Sequence, residues 1–537
     1  MSSNTSYGTY ALNDNTGIQN AGFGESTIQK GSGDHNTGIG AFALANTTTG
    51  TSDTALGTSA LVTNTTGSYN TALGAGSMCT NTTGSFNTAV GSNSLELNTT
   101  GQYNVALGVN ALYSNTTAQR NTAVGYNALQ ANTTGEPNVA VGYYALTSNT
   151  TGKQNTAVGP NALYTNTIGS YNIAVGTNAL YSNTEGYNNT SVGYAVLANN
   201  ISGAYNVAVG EKALFSNTLG IQNTAVGTKA LYSNITGDFN VAVGLHALYY
   251  NIDGINNTAV GHHSLFQNTS GTHNTAVGLN ALKQNTTGYH NTAIGFDTLY
   301  SNTTGNYNTA VGLNALNANT ASYNTAVGQS ALLKNTTGSS NTVVGQYALS
   351  ENISGSSNTA VGFDALQMST AGTNTALGYT AGSNLTIGTN CTYIGYEAQA
   401  SSSTVSNEIV LGNSSIANLR CQVGLSGLSD ERDKKDIVSL EPNTGIEFIN
   451  KLNPVNFIWN MRDGGKVDIP EQGFIAQQLR QAQNDTNFII PNLVNDKNPE
   501  KLYASYGTLI PVMVQAIKDL KAEIDILKEE ISYLKSV

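Results

Sequence analysis

Charge is scarce in this chain. Asp, Glu, Lys and Arg make up 10% of 537 residues, against roughly a quarter in ordinary soluble domains. Cysteine is nearly absent: Cys79, Cys391 and Cys421 are odd in number and far apart, so they fit neither a disulfide framework nor a zinc-ligand spacing. No basic run occurs and the net charge is −11, which argues against nucleic acid as a partner. No apolar run approaches the roughly 18 residues of a membrane span. The opening MSSNTSYGTYALNDN has no basic segment followed by an apolar one, so no secretion signal and no membrane partner are expected. The Gly-rich phosphate loop ending in Gly-Lys-Ser/Thr is missing too, and no cofactor or metal is expected. Low charge here does not mean disorder, because 39% of the residues are hydrophobic and 28 are Tyr, enough to bury a core.

What charge there is sits at one end. Residues 1–428 hold 8 Lys/Arg and 15 Asp/Glu, whereas residues 429–537 hold 13 and 17. A charge-poor body therefore meets an ordinary globular or helical tail near Leu428.

The body is a repeat. The Asn of an N-[TVI]-A-[VLI]-G phrase recurs every 17 residues from Asn104 through Asn121 and Asn138 to Asn308. It extends upstream through Asn87, Asn70, Asp53 and Asn36 to a degraded copy at Asn20. Downstream it runs through Asn324, Asn341, Asn358, Asn374, Asn390 and Asn407, with some steps of 16. Residues 20–412 form this array, 1–19 precede it, and 413–428 read as a Gly/Ser linker. Within a unit, Thr122-Ala123-Val124 and Ala128-Leu129 are apolar patches separated by Gly and Asn, which favour turns. The pattern predicts two short strands per unit, with Ala123 on one face and Thr122 and Val124 on the other. A single unit cannot bury its apolar face, whereas stacked copies can. The expected fold is mostly β: a parallel β-roll or solenoid of 17-residue repeats, or three intertwined chains using the same pattern. The residues after the unit's Leu (Tyr113, Tyr164, Tyr181, Phe215, Tyr232, Tyr249, Phe266, Tyr300) predict an aromatic column, read as a stacking ladder rather than a sugar-binding surface. The many Asn-x-Thr triplets read as turn chemistry rather than glycosylation sites.

Units of the form NTAVGxNALxxNTTG resemble those of phage and large-virus tail fibres. They resemble more loosely the head repeats of trimeric bacterial adhesins, which form a left-handed parallel β-roll. The resemblance implies a fibrous homotrimer.

The tail opens on Ser429-Asp430-Glu431-Arg432-Asp433-Lys434-Lys435. Alone, this is a charged linker opening a helical domain. All six His lie in the body and no Cys follows Cys421, so a nucleophile here has no His partner. Were Ser429 a nucleophile, Lys434 is the natural base. A free Lys, with a pKa near about 10.4, must be desolvated or placed beside another cation such as Arg432 to act so. A spacing of five puts Ser429 and Lys434 on different faces of a regular element, so the stretch must bend or the pair must meet across chains. Further on, Gly445–Leu452 reads as a helix stopped by Pro454, Val455–Trp459 as a strand, and QGFIAQQL from Gln472 as a strand or strand-to-helix junction. From Ile510, Ile recurs every seventh residue (Ile517, Ile524, Ile531), with Met513, Leu520, Leu527 and Leu534 three residues after each. This predicts a coiled coil over 510–537. Ile at a with Leu at d favours two strands, while a threefold body demands three, and the body is expected to prevail.

Four blocks, SDERDK, LNPVNFIW, GFIAQQL and YASYGTLIPVMVQAIKDLKAEIDILK, resemble the self-cleaving intramolecular chaperone domain of endosialidase-type phage tailspikes. The resemblance implies a cut between Leu428 and Ser429 by a Ser–Lys dyad, with Ser429 as nucleophile, Lys434 as base, and Asp430 and Arg432 as supporting motif residues. Lys435 is an extra lysine that could be mistaken for the base. The expected protein is a receptor-binding fibre or tailspike on a virion surface, assembled in the host cytoplasm. Its partners would be itself as a homotrimer, a host glycan or protein receptor, and a virion attachment protein. A polysaccharide-degrading tailspike would need paired carboxylates in a groove, and the body's acids are scattered. A cellular trimeric adhesin lacks support without a leader or anchor.

Overall fold

The computed structural model describes residues 4–416, 434–442, 444–460, 467–495 and 502–537. It divides into two compact units, Met1–Asp364 with Thr370–Thr373, and Ala365–Ser369 with Asn374–Val537. The chain is mostly β: a parallel β-solenoid of about 24 coils with a 17-residue period, then a small α/β region and a C-terminal helix. Neighbouring strands lie one period apart in the same chain. Thr122–Val124, for example, pairs in parallel with Val105–Leu107 on one side and Val139–Val141 on the other, Ala123 opposite Ala106 and Ala140. The chain thus closes its own ladder and is not one strand of an intertwined layer.

From Thr37 onward each coil carries one strand, while the first two coils add a short second pair, Asp14–Asn15 with Lys30–Gly31. The second expected strand, at Ala128-Leu129, does not form, because Asn127 (φ 54°) and Leu129 (φ 51°) are left-handed. Alternation in a strand would send Ala128 and Leu129 to opposite faces, yet both are fully buried. Successive turns do this: Ala128 N–H donates to Gly125 C=O at 3.4 Å and Asn132 N–H to Leu129 C=O at 3.2 Å. The strained Leu is held by its neighbours, since its N–H donates to Ala145 C=O in the next coil at 3.0 Å. Gly125, at φ 138°, ends the strand where only glycine fits, as a Cβ there would lie 2.4 Å from the Gly142 oxygen. The strand alternates as expected, Ala123 buried in the core and Thr122 and Val124 half-buried outside it.

The core is only partly apolar. Beside the Ala and Leu columns run two columns of fully buried Asn. In the first, each Asn Oδ1 accepts the next coil's backbone N–H, as Asn121 N–H donates to Asn104 Oδ1 at 3.0 Å. Its own Nδ2 donates to Gly135 C=O at 3.1 Å. In the second column, Asn132 Nδ2 donates to Asn115 Oδ1 at 3.2 Å and to the same Gly135 C=O at 3.0 Å. A buried amide is tolerated only when its donors and acceptors are met, and the 17-residue period supplies these partners except at Asn302 Oδ1, which is left without one beside a 16-residue step where Asn319 Nδ2 donates to Ala321 C=O instead. Asn132, the acceptor residue of an Asn-Thr-Thr triplet, is thus a core side chain. The ladder starts ahead of residue 20: Asn20 N–H donates to Asn4 Oδ1 at 2.8 Å, and Thr5–Tyr7 pairs with Ala21–Phe23. At the far end the ladder positions are Asn374, Cys391 and Glu408, not Asn390 and Asn407. Cys391 N–H donates to Asn374 Oδ1 at 3.0 Å, and the last strands are Thr392–Ile394 and Ile409–Leu411.

This ladder makes a quantitative expectation. Asn223→Ala removes the acceptor of Asn240 N–H (3.0 Å) and Asn240 Nδ2 (3.2 Å) and a donor to Gly237 C=O (2.8 Å). Stranding buried donors costs about 1–3 kcal/mol each, so chemical denaturation should show a loss of about 2–5 kcal/mol. Thr224→Val, an exchange the chain itself makes at Val207 and Val241, should stay within about 0.5 kcal/mol. Equal behaviour of the two variants contradicts the ladder as a source of stability.

Rings stack along the outside. Tyr164 and Tyr181 lie 5.0 Å apart at 2°, and Phe215, Tyr232 and Tyr249 follow at 5.2 and 5.0 Å. This is the stacking expected of the column after the unit's Leu. A second column sits just before the ladder Asn, where Tyr69, Phe86 and Tyr103 stack at 5.0 and 5.2 Å.

Candidate functional site

Among the described residues, the C-terminal region is built around three helices. Helix α1 (Thr444–Lys451) is stopped ahead of Pro454, as expected from a residue that cannot continue a helix. The strand Val455–Asn460 pairs antiparallel with Val467–Gly473. Helix α2 (Ala476–Thr486) follows, so QGFIAQQL is a strand-to-helix junction. Helix α3 spans Ile510–Ser536. A small core joins them: Phe448 of α1, Leu479 and Ala482 of α2, Ile490 and Leu493 of the following loop, and Leu509 and Val512 at the start of α3. Gly445 lets α1 approach α3, since a Cβ there would sit 2.9 Å from the Val512 oxygen. Two polar ties fix the loops. Gln483, nearly buried, accepts Ile490 N–H at 2.7 Å, and Tyr506 Oη donates to Phe474 C=O at 2.8 Å.

Of the expected processing residues, Leu428, Ser429, Asp430 and Arg432 lie outside the described residues. Lys434 opens the described stretch 434–442, and its side chain is exposed. The neighbouring Lys435 lies 4.0 Å from Asp436, a solvated pair of little energetic weight. Exposure matters for the expected chemistry, because a lysine that takes a proton from a hydroxyl must first be kept neutral by burial or by another cation.

Helix α3 divides into two faces. Val512 and Ala516, one turn apart, are buried. The seam formed by Ile510, Met513, Ile517, Leu520, Ile524, Leu527, Ile531 and Leu534 is exposed along its whole length, from 47% at Leu520 to 72% at Leu534. No helix among the described residues is long and apolar enough to cross a membrane.

Sequence reasoning placed α1, the strand from Val455 and the C-terminal helix, but not the partner strand Val467–Gly473 or the extent of α2, and it missed the residues that hold them together. Phe448 and Leu493 are the fully buried members of this core. Phe448 sits on the apolar face of the expected helix, whereas Leu493 lies in a loop where periodicity carries no signal.

Residues 429–494 match the family model described as chaperone of endosialidase, the match stopping ahead of α3. No curated protein and no solved structure matches the chain. Behind a β-solenoid of 17-residue coils, the chain thus carries a C-terminal chaperone-of-endosialidase domain.

Proposed function

We propose that the chain is a subunit of a homotrimeric virion fibre or tailspike that binds a host surface. In this reading residues 429–537 hold three chains in register while the solenoid folds, and then leave by self-cleavage at Leu428–Ser429. One observation carries it: a chaperone-family segment begins where a long stack of interchangeable coils ends. Each coil fits its neighbours through the same Ala, Leu and Asn columns. Three chains brought together therefore meet a set of alignments offset by one coil and nearly equal in energy. Non-local β assembly is slow and exposed to aggregation meanwhile. A clamp outside the repeat breaks the degeneracy, and the Ile/Leu seam of α3 is suited to this role because it is apolar, in heptads, and exposed in the single chain.

The cleavage chemistry follows from the nucleophile's position. Ser429 Oγ adds to the Leu428 carbonyl carbon while Lys434 Nζ takes the hydroxyl proton. The Leu428–Ser429 C–N bond then breaks, and the proton passes to the departing nitrogen. The product is an ester through Ser429 Oγ, which water hydrolyses to free the fibre. Lys434 is exposed in the single chain, so its desolvation would come with assembly, making the cut conditional on a correct trimer. Once the clamp has gone, the fibre is held by its unfolding barrier.

Intact mass spectrometry of the purified protein tests this. The parent should end at Leu428, Ser429→Ala and Lys434→Ala should retain residues 429–537, and Lys435→Ala should cut as the parent does. Cutting that survives in both of the first two variants refutes the dyad. An uncut Ser429→Ala protein that sediments as a monomer refutes the clamp.

A further inference from the structure

Half of the chain's six His lie within 18 residues, at His246, His262 and His263. Nothing in the solenoid's construction calls for them. His246 and His263 occupy the same place in successive coils, where the coils on either side carry Lys229 and Asn280. His262 occupies a place taken by Leu245 and Leu279. The backbone fixes His246 and His263. His246 N–H donates to Thr228 C=O and His263 N–H to Leu245 C=O, both at 3.1 Å, and both residues are left-handed. The rings therefore stand in one patch. His246 and His263 stack with centroids 5.3 Å apart, His262 and His263 with centroids 3.9 Å apart. Phe266 walls one side, 4.6 Å from the His263 ring. His246 and His263 are half-buried and His262 is exposed, so the patch has a protein floor and an open mouth.

One nitrogen from each ring can be chosen so that all three lie within 4.8 Å of one another. His246 Nδ1 and His263 Nε2 are already 3.2 Å apart. A tetrahedral zinc ion with Zn–N bonds of about 2.0–2.1 Å needs ligand nitrogens about 3.3 Å apart, so two ligands stand ready and the third needs a modest swing of the exposed His262. Burial first, then the neighbouring His262, Lys283 and His246, disfavour the charged form of His263, and burial, Lys229 and His262 do the same to His246.

We propose that His246, His262 and His263 form a binding site for a first-row transition ion, with Zn²⁺ the reference case, that clips two neighbouring coils together. The fourth position faces solvent and takes water. Lys229 and Lys283, the charged groups acting on the cluster, oppose any cation electrostatically, so only ions that bond well to imidazole nitrogen should overcome them. Zn²⁺, Ni²⁺ and Cu²⁺ qualify; Mg²⁺ and Ca²⁺, which seek oxygen ligands, do not. Since metal and protons compete for imidazole nitrogen, affinity should fall in acid.

Isothermal titration of the untagged, chelator-dialysed chain with ZnCl₂ tests the site, with Co²⁺ absorption as a second readout for tetrahedral nitrogen ligation. The expected result is one Zn²⁺ per chain, no binding of Mg²⁺, and loss of the Zn²⁺ signal in His263→Asn and in His262→Leu. These replacements copy the residues that adjacent coils carry at the same places, and so preserve the fold. His273→Asn, in the separate stacked pair with His290, should bind as the parent does. Absence of Zn²⁺ binding by the parent overturns the proposal, as does binding that both His263→Asn and His262→Leu retain.

Discussion

Gly382→Leu, which restores the leucine found at that place in most coils, is expected to destabilise the C-terminal coils, and Tyr393→Ala is expected to rescue it. The leucine column runs Leu349, Leu366 and then Gly382, while the inward strand column runs Ala360, Ala376 and then Tyr393. Tyr393 is fully buried, and its ring fills the space that the missing leucine leaves. A Cβ at Gly382 would lie 2.6 Å from Tyr393 Cδ2. The backbone strain is one that this column already bears, since Leu366 is held at φ 50° and Gly382 sits at φ 62°. Overpacking a closed core costs about 1–3 kcal/mol, and cutting a buried aromatic to Ala about 3–5 kcal/mol. Each single variant should lose within those ranges. The double variant, whose coils regain the common Leu and Ala, should return to within about 1 kcal/mol of the parent, a coupling far beyond that of independent sites. Glu408, 3.4 Å from the Tyr393 hydroxyl, keeps Ser401 N–H at 3.1 Å and is not stranded. The measurement is chemical unfolding of all four proteins. Single losses that simply add in the double variant mean that the two positions do not trade volume.

This pair also shows what the sequence does and does not disclose. The 17-residue period, the stacking and the placing of Ala on the face opposite Thr and Val were legible because each rests on counting and on strand alternation, whereas which face turns inward was not. The shape of the coil was not. Leu129 prefers right-handed backbone when isolated, and only the hydrogen bonds from adjoining coils hold it left-handed, so a local reading of Ala128-Leu129 as a strand misses a tertiary effect. The Asn columns read, in sequence, as turn chemistry, for which Asn, Asp, Ser and Gly are nearly interchangeable. Their near-uniformity at two places per unit was the overlooked signal, because only an amide offers both a donor and an acceptor to a buried ladder. Counting by Asn also slips one residue at the end, where Cys391 takes the ladder position. The expected processing residues rest on a motif alone, since Ser429 and Lys434 would gain their chemistry from surroundings that a linear pattern does not contain.

Asp53 is an acid set inside the Asn ladder, and replacing it by Asn should reverse sign with pH. Its backbone N–H donates to Asn36 Oδ1 at 2.9 Å as any ladder residue would. Its carboxylate oxygens accept Asn70 N–H at 2.8 Å and Asn64 Nδ2 at 3.0 Å. The second Asn column begins at Asn64, with Thr47 in the corresponding place one coil earlier. Asp53 therefore supplies the acceptor that an Asn at 47 would have offered. The cost is burial: the side chain is fully enclosed, and desolvation pushes its pKa from 3.8 up to about 7, against the hydrogen bonds from Asn70 and Asn64 that favour the charged form. A carboxyl raised on folding takes up a proton as the chain folds. Its contribution is thus complete below about pH 4, fades as pH climbs to about 7, and is level above. Across that window the parent forfeits about 4 kcal/mol. Asp53→Asn escapes that loss but strands one Asn64 donor, at about 1–3 kcal/mol. The parent has lost about 1 kcal/mol of this by pH 4.5, so the variant should be less stable than the parent by about 0–2 kcal/mol there and more stable by about 1–3 kcal/mol at pH 8. Amide exchange at Asn70, compared between parent and variant at each pH, reads the difference locally and cancels intrinsic exchange chemistry. Other acids lifted by burial, such as Glu96 and Asp364, are common to both proteins and drop out of the comparison. A difference that does not change with pH means that Asp53 stays charged in the fold, and that the ladder tolerates a buried anion in place of a neutral acid.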